Sequence, residues 1–326
     1  MRIGLIGAGM AGLSCAMALR DRGHDTVSFD KGRGPGGRMS TRRIDTSTCA
    51  IAFDHGAQYF TARDPDFIAQ VETWAEDGHV ARWPGGGSDA WVGTPAMNAP
   101  VRAMAAAVDV HWAARVESLS HDGKWHLHGT RPDPATLSAR PAGTPGALMV
   151  EAAPFDAVVL AVPAEQVAPL IDLQDREIAD LARSIQSDPC WTVMVAFDDR
   201  IPLHQDRLTG IGIIGSAVRN SSKPGRTAPE AWVLQATAEW SRDHLEADPS
   251  AVEQALFTAF EARVGTPLPA ILTSKAHRWR FAKSGTAQRD AIWRPDTGIG
   301  VCGDWLIGPR IEAAWLSGRR LAALIG

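Results

Sequence analysis

Gly7-Ala-Gly-Met-Ala-Gly12 limits what this chain can become more than any other stretch, because its neighbours on both sides agree with it. Arg2 to Ile6 is a short apolar run suited to a buried parallel strand, and it enters the glycines with no gap. In such a strand–turn–helix, Gly7 permits the tight turn and Gly9 lets backbone approach a pyrophosphate. Gly12 lets the helix lie close to the strand, so the helix N-terminus meets the anion. The helix is expected from Leu13 to about Arg22 and is stopped by Gly23. Thr26 to Phe29 reads as a second strand closing on Asp30, which stands 18 residues past Gly12. An acid is expected there to bind ribose hydroxyls. Taken alone, Asp30 would also serve as a turn residue.

Lys31 to Thr41 (KGRGPGGRMST) extends the site with a basic, glycine-dense loop whose backbone N–H groups and Arg38 guanidinium suit phosphate. With GxGxxG and the acid, the Gly36-Gly-Arg-Met-Ser-Thr41 segment resembles the FAD-binding half of the flavin-containing amine oxidase superfamily, whose wider fold is that of glutathione reductase. Asp54-His-Gly-Ala-Gln-Tyr-Phe-Thr61 makes the chain similar, within that superfamily, to renalase and its bacterial relatives. The resemblance runs over nearly the whole chain. It implies an α/β architecture: a glutathione-reductase-type FAD-binding Rossmann domain and a smaller substrate domain on a mixed or antiparallel sheet. On that reading residues 1–60, 97–163 and 291–326 form the first, and 61–96 and 164–290 the second.

The length of 326 residues is enough for two such domains. A net charge of −4 gives no electrostatic case for a nucleic-acid or anionic-membrane partner. No stretch reaches the roughly 18 uninterrupted apolar residues of a membrane span. The N-terminal apolar run belongs to the glycine motif, so it is not expected to be a signal peptide. Cys15, Cys49, Cys190 and Cys302 show no CxxC or zinc spacing and read as reduced, buried residues of a cytoplasmic protein. His126 and His128 share a strand face without a third ligand nearby, and no metal is expected.

Along the chain, Asp64 to Asp77 reads as a helix with Pro65 in its first turn, and a second helix is expected from Ala99 to Val108. Val110 to Val116 and Lys124 to His128 are strand candidates around the Asp122-Gly123 turn, and residues 131–146 read as an exposed insertion. Phe155 to Pro163 is of buried-strand type. Three strand-like runs, 190–197, 210–218 and 231–238, precede a helical pattern over 245–264 and an alternating run over 275–282. The Gly298 to Asp304 strand leads into a last helix from Arg310 to Ile325.

What the resemblance implies for residues is specific. FAD would be held non-covalently by Gly7, Gly9, Met10, Ala11, Gly12, Asp30, Lys31, Gly37, Arg38, Met39, Gly56, Ala57, Val116, Gly303, Asp304 and Ile311. Val116 would meet the adenine through its backbone, Asp304 the ribityl chain, and the last helix the flavin pyrimidine carbonyl, its dipole favouring the electron-rich reduced ring. Gln58, Tyr59, Asn220, Trp279 and Arg280 would line the reacting cavity, and Lys223 or Arg226 would meet substrate phosphates. Each has an ordinary alternative: a half-buried strand end for Gln58 and Tyr59, a turn for Asn220, a core Trp and a surface Arg for the last pair.

For the chemistry, flavin carries the redox step while the protein positions and tunes. Amine oxidases of the superfamily present a lysine near the flavin and a pair of aromatics, often tyrosines. Here the Trp191 to Phe197 run holds no lysine and Tyr59 is the one tyrosine. Renalase-like enzymes instead oxidise dihydro-NAD(P) reduced at the wrong ring carbon, with molecular oxygen as acceptor and hydrogen peroxide as product. The expectation is therefore an oxidase of 2- or 6-dihydro-NAD(P). The alternatives are a flavin amine oxidase or desaturase-like enzyme, and a non-catalytic FAD-binding module. A plain NAD(P)-dependent dehydrogenase would leave Gly37-Arg38 and Gly303-Asp304 without a role.

Overall fold

The computed structural model describes all residues except 47–48, 132–146, 151–152 and 227–228. The chain is divided into two compact units, each of discontinuous segments: residues 1–37, 101–186 and 284–326 form the first, 38–100 and 187–283 the second. Residues 38–60, expected with the cofactor-binding part, fall in the second unit, and 164–186 fall in the first.

The first unit is built on a six-stranded sheet in the order Ile292–Arg294, Ile299–Val301, Ala157–Leu160, Arg2–Ile6, Asp25–Asp30, Asp109–Trp112. The last five run parallel, and Ile292–Arg294 pairs antiparallel at one edge. A parallel sheet must bury both faces, which is why Ile3–Ile6 and Ala157–Leu160 read as unbroken apolar runs. The helix Met10–Arg20 packs on the last helix, Ile311–Ile325, closely enough that a Cβ on Gly318 would lie 2.2 Å from the Ala11 carbonyl oxygen. Ser14 Oγ donates to the Trp315 carbonyl across the same seam, at 2.7 Å.

The single strand expected over 110–116 is two. Ala113 takes a left-handed φ of 56°, so Asp109–Trp112 ends in the parallel sheet and Arg115–His121 starts a three-stranded antiparallel sheet with Trp125–Arg131 and Ala147–Val150. Ala113 N and Ala114 N donate to the Gly32 and Asp30 carbonyls, which fixes the corner. Apart from Arg131, the expected insertion lies outside the described residues.

The second unit is built on a five-stranded sheet in the order Arg207–Ile211, Ile214–Arg219, Ala231–Ala236, Ser187–Phe197, Ile271–Ser284. Val193, Val195 and Phe197 pack with Val252, Leu256 and Phe260 of the helix Pro249–Val264. Their alternates Met194 and Ala196 pack with Ile51 and Phe53 of a small hairpin, Thr41–Asp45 with Ala50–Asp54. With both faces covered, the Trp191 to Phe197 run has no polar alternation to show. The helix expected over 245–264 starts at Pro249 because Asp248 caps it, accepting from Ser250 N. Asp64 does the same for Pro65–Glu76.

Candidate functional site

In the first unit the glycine loop is not uniform in what it requires. Gly7 has a φ of +104° and its Cβ would meet the Ala161 carbonyl oxygen at 2.4 Å, while a Cβ on Gly12 would lie 2.0 Å from the Gly7 oxygen. Those two glycines are demanded by the protein's own packing. Gly9 is different: it has an ordinary extended backbone, and nothing lies within 4 Å of where its Cβ would be. Its missing side chain leaves open the N-terminus of the helix Met10–Arg20, which no side chain caps. Uncapped N–H groups beside open space suit an anion, so these residues fit a dinucleotide pyrophosphate. Gly37 closes in from the other side, its Cβ position 3.7 Å from Gly9 Cα.

Asp30 accepts from Ala8 N at 2.7 Å and from Gly32 N at 2.6 Å, one bond to each carboxylate oxygen. It therefore ties the two glycine-containing loops together, and each oxygen keeps a lone pair for a ribose hydroxyl. Lys31 donates to Gln166, and burial pulls its pKa down. Val116, half-buried, pairs with Gly129 in the antiparallel sheet. Gly303 N is held by Ser317 Oγ at 3.0 Å, and the buried Asp304 carboxylate accepts from Ser284 Oγ at 3.0 Å. Ile311 opens the last helix, again without a side-chain cap. The structure also joins what the sequence leaves apart: Cys15, on the first helix, hydrogen-bonds Cys302. Both are buried free thiols, and the Cys302 bond together with burial pushes the Cys15 thiol pKa well up. No spacing rule joins residues so far apart in the chain.

In the second unit, Asp54 is a hub. Its Oδ2 accepts from Lys223 Nζ at 3.1 Å and from Arg226, and its Oδ1 from Thr41 Oγ1 at 2.8 Å and Met97 N at 3.0 Å. The side chains of Asp54, Lys223 and Arg226 are 1%, 0% and 2% exposed. Burial pushes the Asp54 pKa up, but the two cations and the bonds from Met97 and Thr41 outweigh it and hold the pKa at about 2. Burial pulls Lys223 down to about 8, against the pull of Asp54. Lys223 and Arg226, expected at substrate phosphates, are thus turned onto Asp54.

Gln58 and Asn220 join this hub. Gln58 Nε2 donates to the Asp54 and Gly56 carbonyls at 2.6 and 3.0 Å, and its Oε1 accepts from Lys223. Asn220 accepts from Asp54 N and donates to the Ala52 carbonyl. Ala57 N donates to the Arg38 carbonyl, and a Cβ on Gly56 would lie 2.0 Å from that same oxygen, which is why position 56 is glycine. Met39, beside Arg38, is buried. Tyr59 stands apart from the hub, its ring 5.0 Å from the Arg207 guanidinium and 6.0 Å from Trp83.

Trp279 Nε1 donates to the His55 carbonyl at 2.9 Å, and its ring packs against His55 and His277. Arg280 is not brought to this cluster: as the next residue of the strand it faces the other way, is exposed, and pairs with Glu246 at 2.7 Å. Burial, then His277 and Arg42, lower the His55 pKa to about 3. Burial and Arg42 lower that of His277 to about 4. The sequence carried no signal for this pair. His126 and His128 bond Asp122 and Ser120 on exposed strands.

The first unit thus has the architecture of a Rossmann-type dinucleotide-binding protein. Residues 5–72 match the family described as NAD(P)-binding Rossmann-like domain, and residues 78–326 match the family described as flavin containing amine oxidoreductase. That second match spans most of the chain, and the protein belongs to the flavin-containing amine oxidoreductase family. Solved structures share the fold at low identity. A putative protoporphyrinogen oxidase from Exiguobacterium sp. 255-15 has a TM-score of 0.75 at 13% identity, over 99% of this chain and 98% of that one. A putrescine oxidase, solved bound to putrescine, has a TM-score of 0.65 at 12% identity over 100% and 99%. A CLA-producing fatty acid isomerase from P. acnes has a TM-score of 0.66 at 11% identity over 99% and 98%. The protein is an FAD-dependent oxidoreductase, and among the described residues no helix is long and apolar enough to cross a membrane.

Proposed function

We propose that this protein oxidises dihydronicotinamide dinucleotides reduced at the 2- or 6-position of the ring, giving NAD(P)+ while molecular oxygen becomes hydrogen peroxide. FAD, when bound, supplies the capacity to accept a hydride. The cofactor set is the one assigned by resemblance, from Gly7, Gly9, Met10, Ala11 and Gly12 through Asp30, Lys31, Gly37, Arg38, Met39, Gly56, Ala57 and Val116 to Gly303, Asp304 and Ile311. Gln58, Tyr59, Asn220 and Trp279 are the residues offered to the substrate, with Arg280 at the margin.

The observation that carries this reading is the state of Asp54 and Lys223. The one carboxylate of the 54–61 stretch is enclosed and saturated by two cations, a hydroxyl and a backbone N–H, and the one lysine beside it is tied to that carboxylate. At neutral pH, with Asp54 ionised in its ion pairs and Lys223 protonated, neither takes a proton from a substrate. A dihydropyridine needs no such base, because it leaves as an aromatic cation by losing hydride alone. Oxidation of an amine needs its nitrogen deprotonated first.

The second reading, amine oxidation, is favoured by one feature: a fully buried lysine with a pKa of about 8 lies against Gln58. Its amine is neutral in alkaline solution and could then accept a proton. The third reading, a non-catalytic FAD-binding module, predicts bound flavin that no small reductant bleaches.

An anaerobic visible spectrum separates these readings. Purified holoenzyme is mixed with base-equilibrated NAD(P)H, which contains the misreduced isomers, and separately with pure 4-dihydro NAD(P)H. Bleaching by the mixture alone is expected. Bleaching by a panel of primary and secondary amines, with no response to the mixture, would replace the first reading by the second.

A further inference from the structure

Two imidazoles from separate segments of the second unit meet, and the guanidinium of a third segment acts on both electrostatically. Arg42 comes from the strand Thr41–Asp45, His55 from just past Ala50–Asp54, and His277 from Ile271–Ser284. The His55 and His277 rings meet edge to face at 4.9 Å, and Trp279 closes on both, at 5.1 and 4.7 Å. Arg42 is half-buried, acts electrostatically on both imidazoles, and forms no ion pair among the described residues. Asp54, the carboxylate that acts on His55, is already committed to Lys223 and Arg226.

Burying a polar atom without a partner costs about 1–3 kcal/mol. His55 is 7% exposed, one ring nitrogen bonds the Ser40 carbonyl, and Nδ1 is buried with no partner at all. Arg219 and Arg226, whose side chains are more deeply buried, are balanced, Arg219 by Asp206 and Glu230 and Arg226 by Asp54. Leaving a half-buried guanidinium facing two imidazoles makes electrostatic sense if a negative group from outside the protein completes the set.

We propose that Arg42, His277 and His55 form a receptor for an oxyanion group of a bound ligand, a phosphate or a carboxylate. Arg42 supplies the fixed charge and a two-pronged donor. His277, also half-buried, supplies a ring nitrogen, and Trp279 holds the His55 backbone through its 2.9 Å bond. Burial and then Arg42 keep the imidazoles neutral without the anion, and the arriving negative charge balances Arg42 and draws a proton to His277, the less buried of the two. The groups facing them are Arg42, the Ser40 carbonyl, Asp54 and Trp279. The proposal stands under either substrate reading: a dinucleotide brings phosphate, and an amine of amino-acid type brings carboxylate.

The test is calorimetric titration of FAD-loaded protein at low ionic strength and pH 6.5, with inorganic pyrophosphate in one arm and acetate in the other. Arg42→Gln is compared with Arg43→Gln, which removes the same charge from the next, exposed position of the strand. Binding on the order of tenfold weaker in Arg42→Gln and unchanged in Arg43→Gln is expected. Repeating the titration in buffers of different ionisation enthalpy should show proton uptake that His277→Asn reduces. The stronger arm tells phosphate from carboxylate. Equal weakening by Arg42→Gln and Arg43→Gln, or the absence of saturable binding in both arms, would overturn the proposal. So would loss of FAD itself from Arg42→Gln, read from the flavin absorbance, because it would assign the guanidinium to the cofactor. A failure here leaves the bleaching experiment untouched, so the two readings fall separately.

Discussion

Asp54→Asn is the most informative single change. Asparagine keeps the volume and an acceptor for Thr41 Oγ1 and Met97 N, but puts an amide NH2 where an oxygen accepts from Lys223 and Arg226, so the change removes the charge and those two bonds. What remains is Lys223 and Arg226, both almost wholly buried, with no carboxylate between them. Breaking a buried pair by removing one partner costs about 3–5 kcal/mol, because the other charge is left uncompensated. Lys223 has a partial escape: its pKa is already about 8 with Asp54 present, so without that carboxylate it loses its proton near neutral pH. Arg226 has no such escape. The expected loss is therefore at the lower end, about 3 kcal/mol. Urea unfolding at pH 7, followed by tryptophan fluorescence, measures it. Adding Lys223→Met to Asp54→Asn should recover at least about 1 kcal/mol, a non-additivity expected of residues in one network. A loss under about 1 kcal/mol for Asp54→Asn, or strict additivity in the double variant, would refute the view of Asp54 as the charge balance of this unit.

Further expectations can be checked with the same protein. Gly9→Ala should leave the apoprotein's stability within about 0.5 kcal/mol, since nothing lies within 4 Å of the new Cβ, yet weaken FAD retention on the order of tenfold, read by flavin absorbance after gel filtration. Gly12→Ala should do the reverse in emphasis, costing the apoprotein about 1–3 kcal/mol or more because the Cβ would stand 2.0 Å from the Gly7 oxygen. Stability should fall as pH drops below about 6.5: His55 and His277 have folded pKa values of about 3 and 4, so their contribution is complete above the unfolded value and is lost as pH falls towards the folded ones. His277→Gln should flatten that part of the profile in pH-dependent unfolding. Asp54, at about 2 against 3.8, adds a loss of about 2 kcal/mol confined to pH below about 4. Lys223, depressed in the fold to about 8, should make stability rise between about pH 8 and 10.5, and Lys223→Met should abolish the rise.

The parts of the fold legible in the sequence are those whose cause is local. GxGxxG, the acid at position 30 and the apolar run at 155–160 each carry their reason in neighbouring residues, and the parallel core of the first unit follows from them. Helix starts follow from Asp64-Pro65 and from Asp248-Pro249, where the cap and not the apolar spacing sets the first residue. The split at Ala113 was not legible, because alanine carries no sign of a left-handed φ that is imposed by bonds to Asp30 and Gly32. The resemblance of the 275–282 strand implies both Trp279 and Arg280 at the cavity, although adjacent residues of a strand face opposite ways.

The second unit's polar centre is illegible for a different reason, and that reason bears on function. Thr41, Asp54, Gln58, Met97, Asn220, Lys223 and Arg226 come from three stretches separated by long spans of chain, and only the packed hairpin and sheet bring them to one carboxylate. The family resemblance of the polar, basic 220–226 stretch offers Lys223 or Arg226 as a free cation, which is how they come to be expected at phosphates. Burial decides otherwise: an enclosed carboxylate demands compensation, and the nearest cations supply it. Arg42 is left outside that balance, since the strand carrying it turns Thr41 towards Asp54 and therefore Arg42 towards the opposite side. In the proposed receptor, the charge expected from Lys223 or Arg226 is carried instead by Arg42, one position from the hub's own hydroxyl donor. The alternation of a single strand separates the structural use of this segment from its binding use.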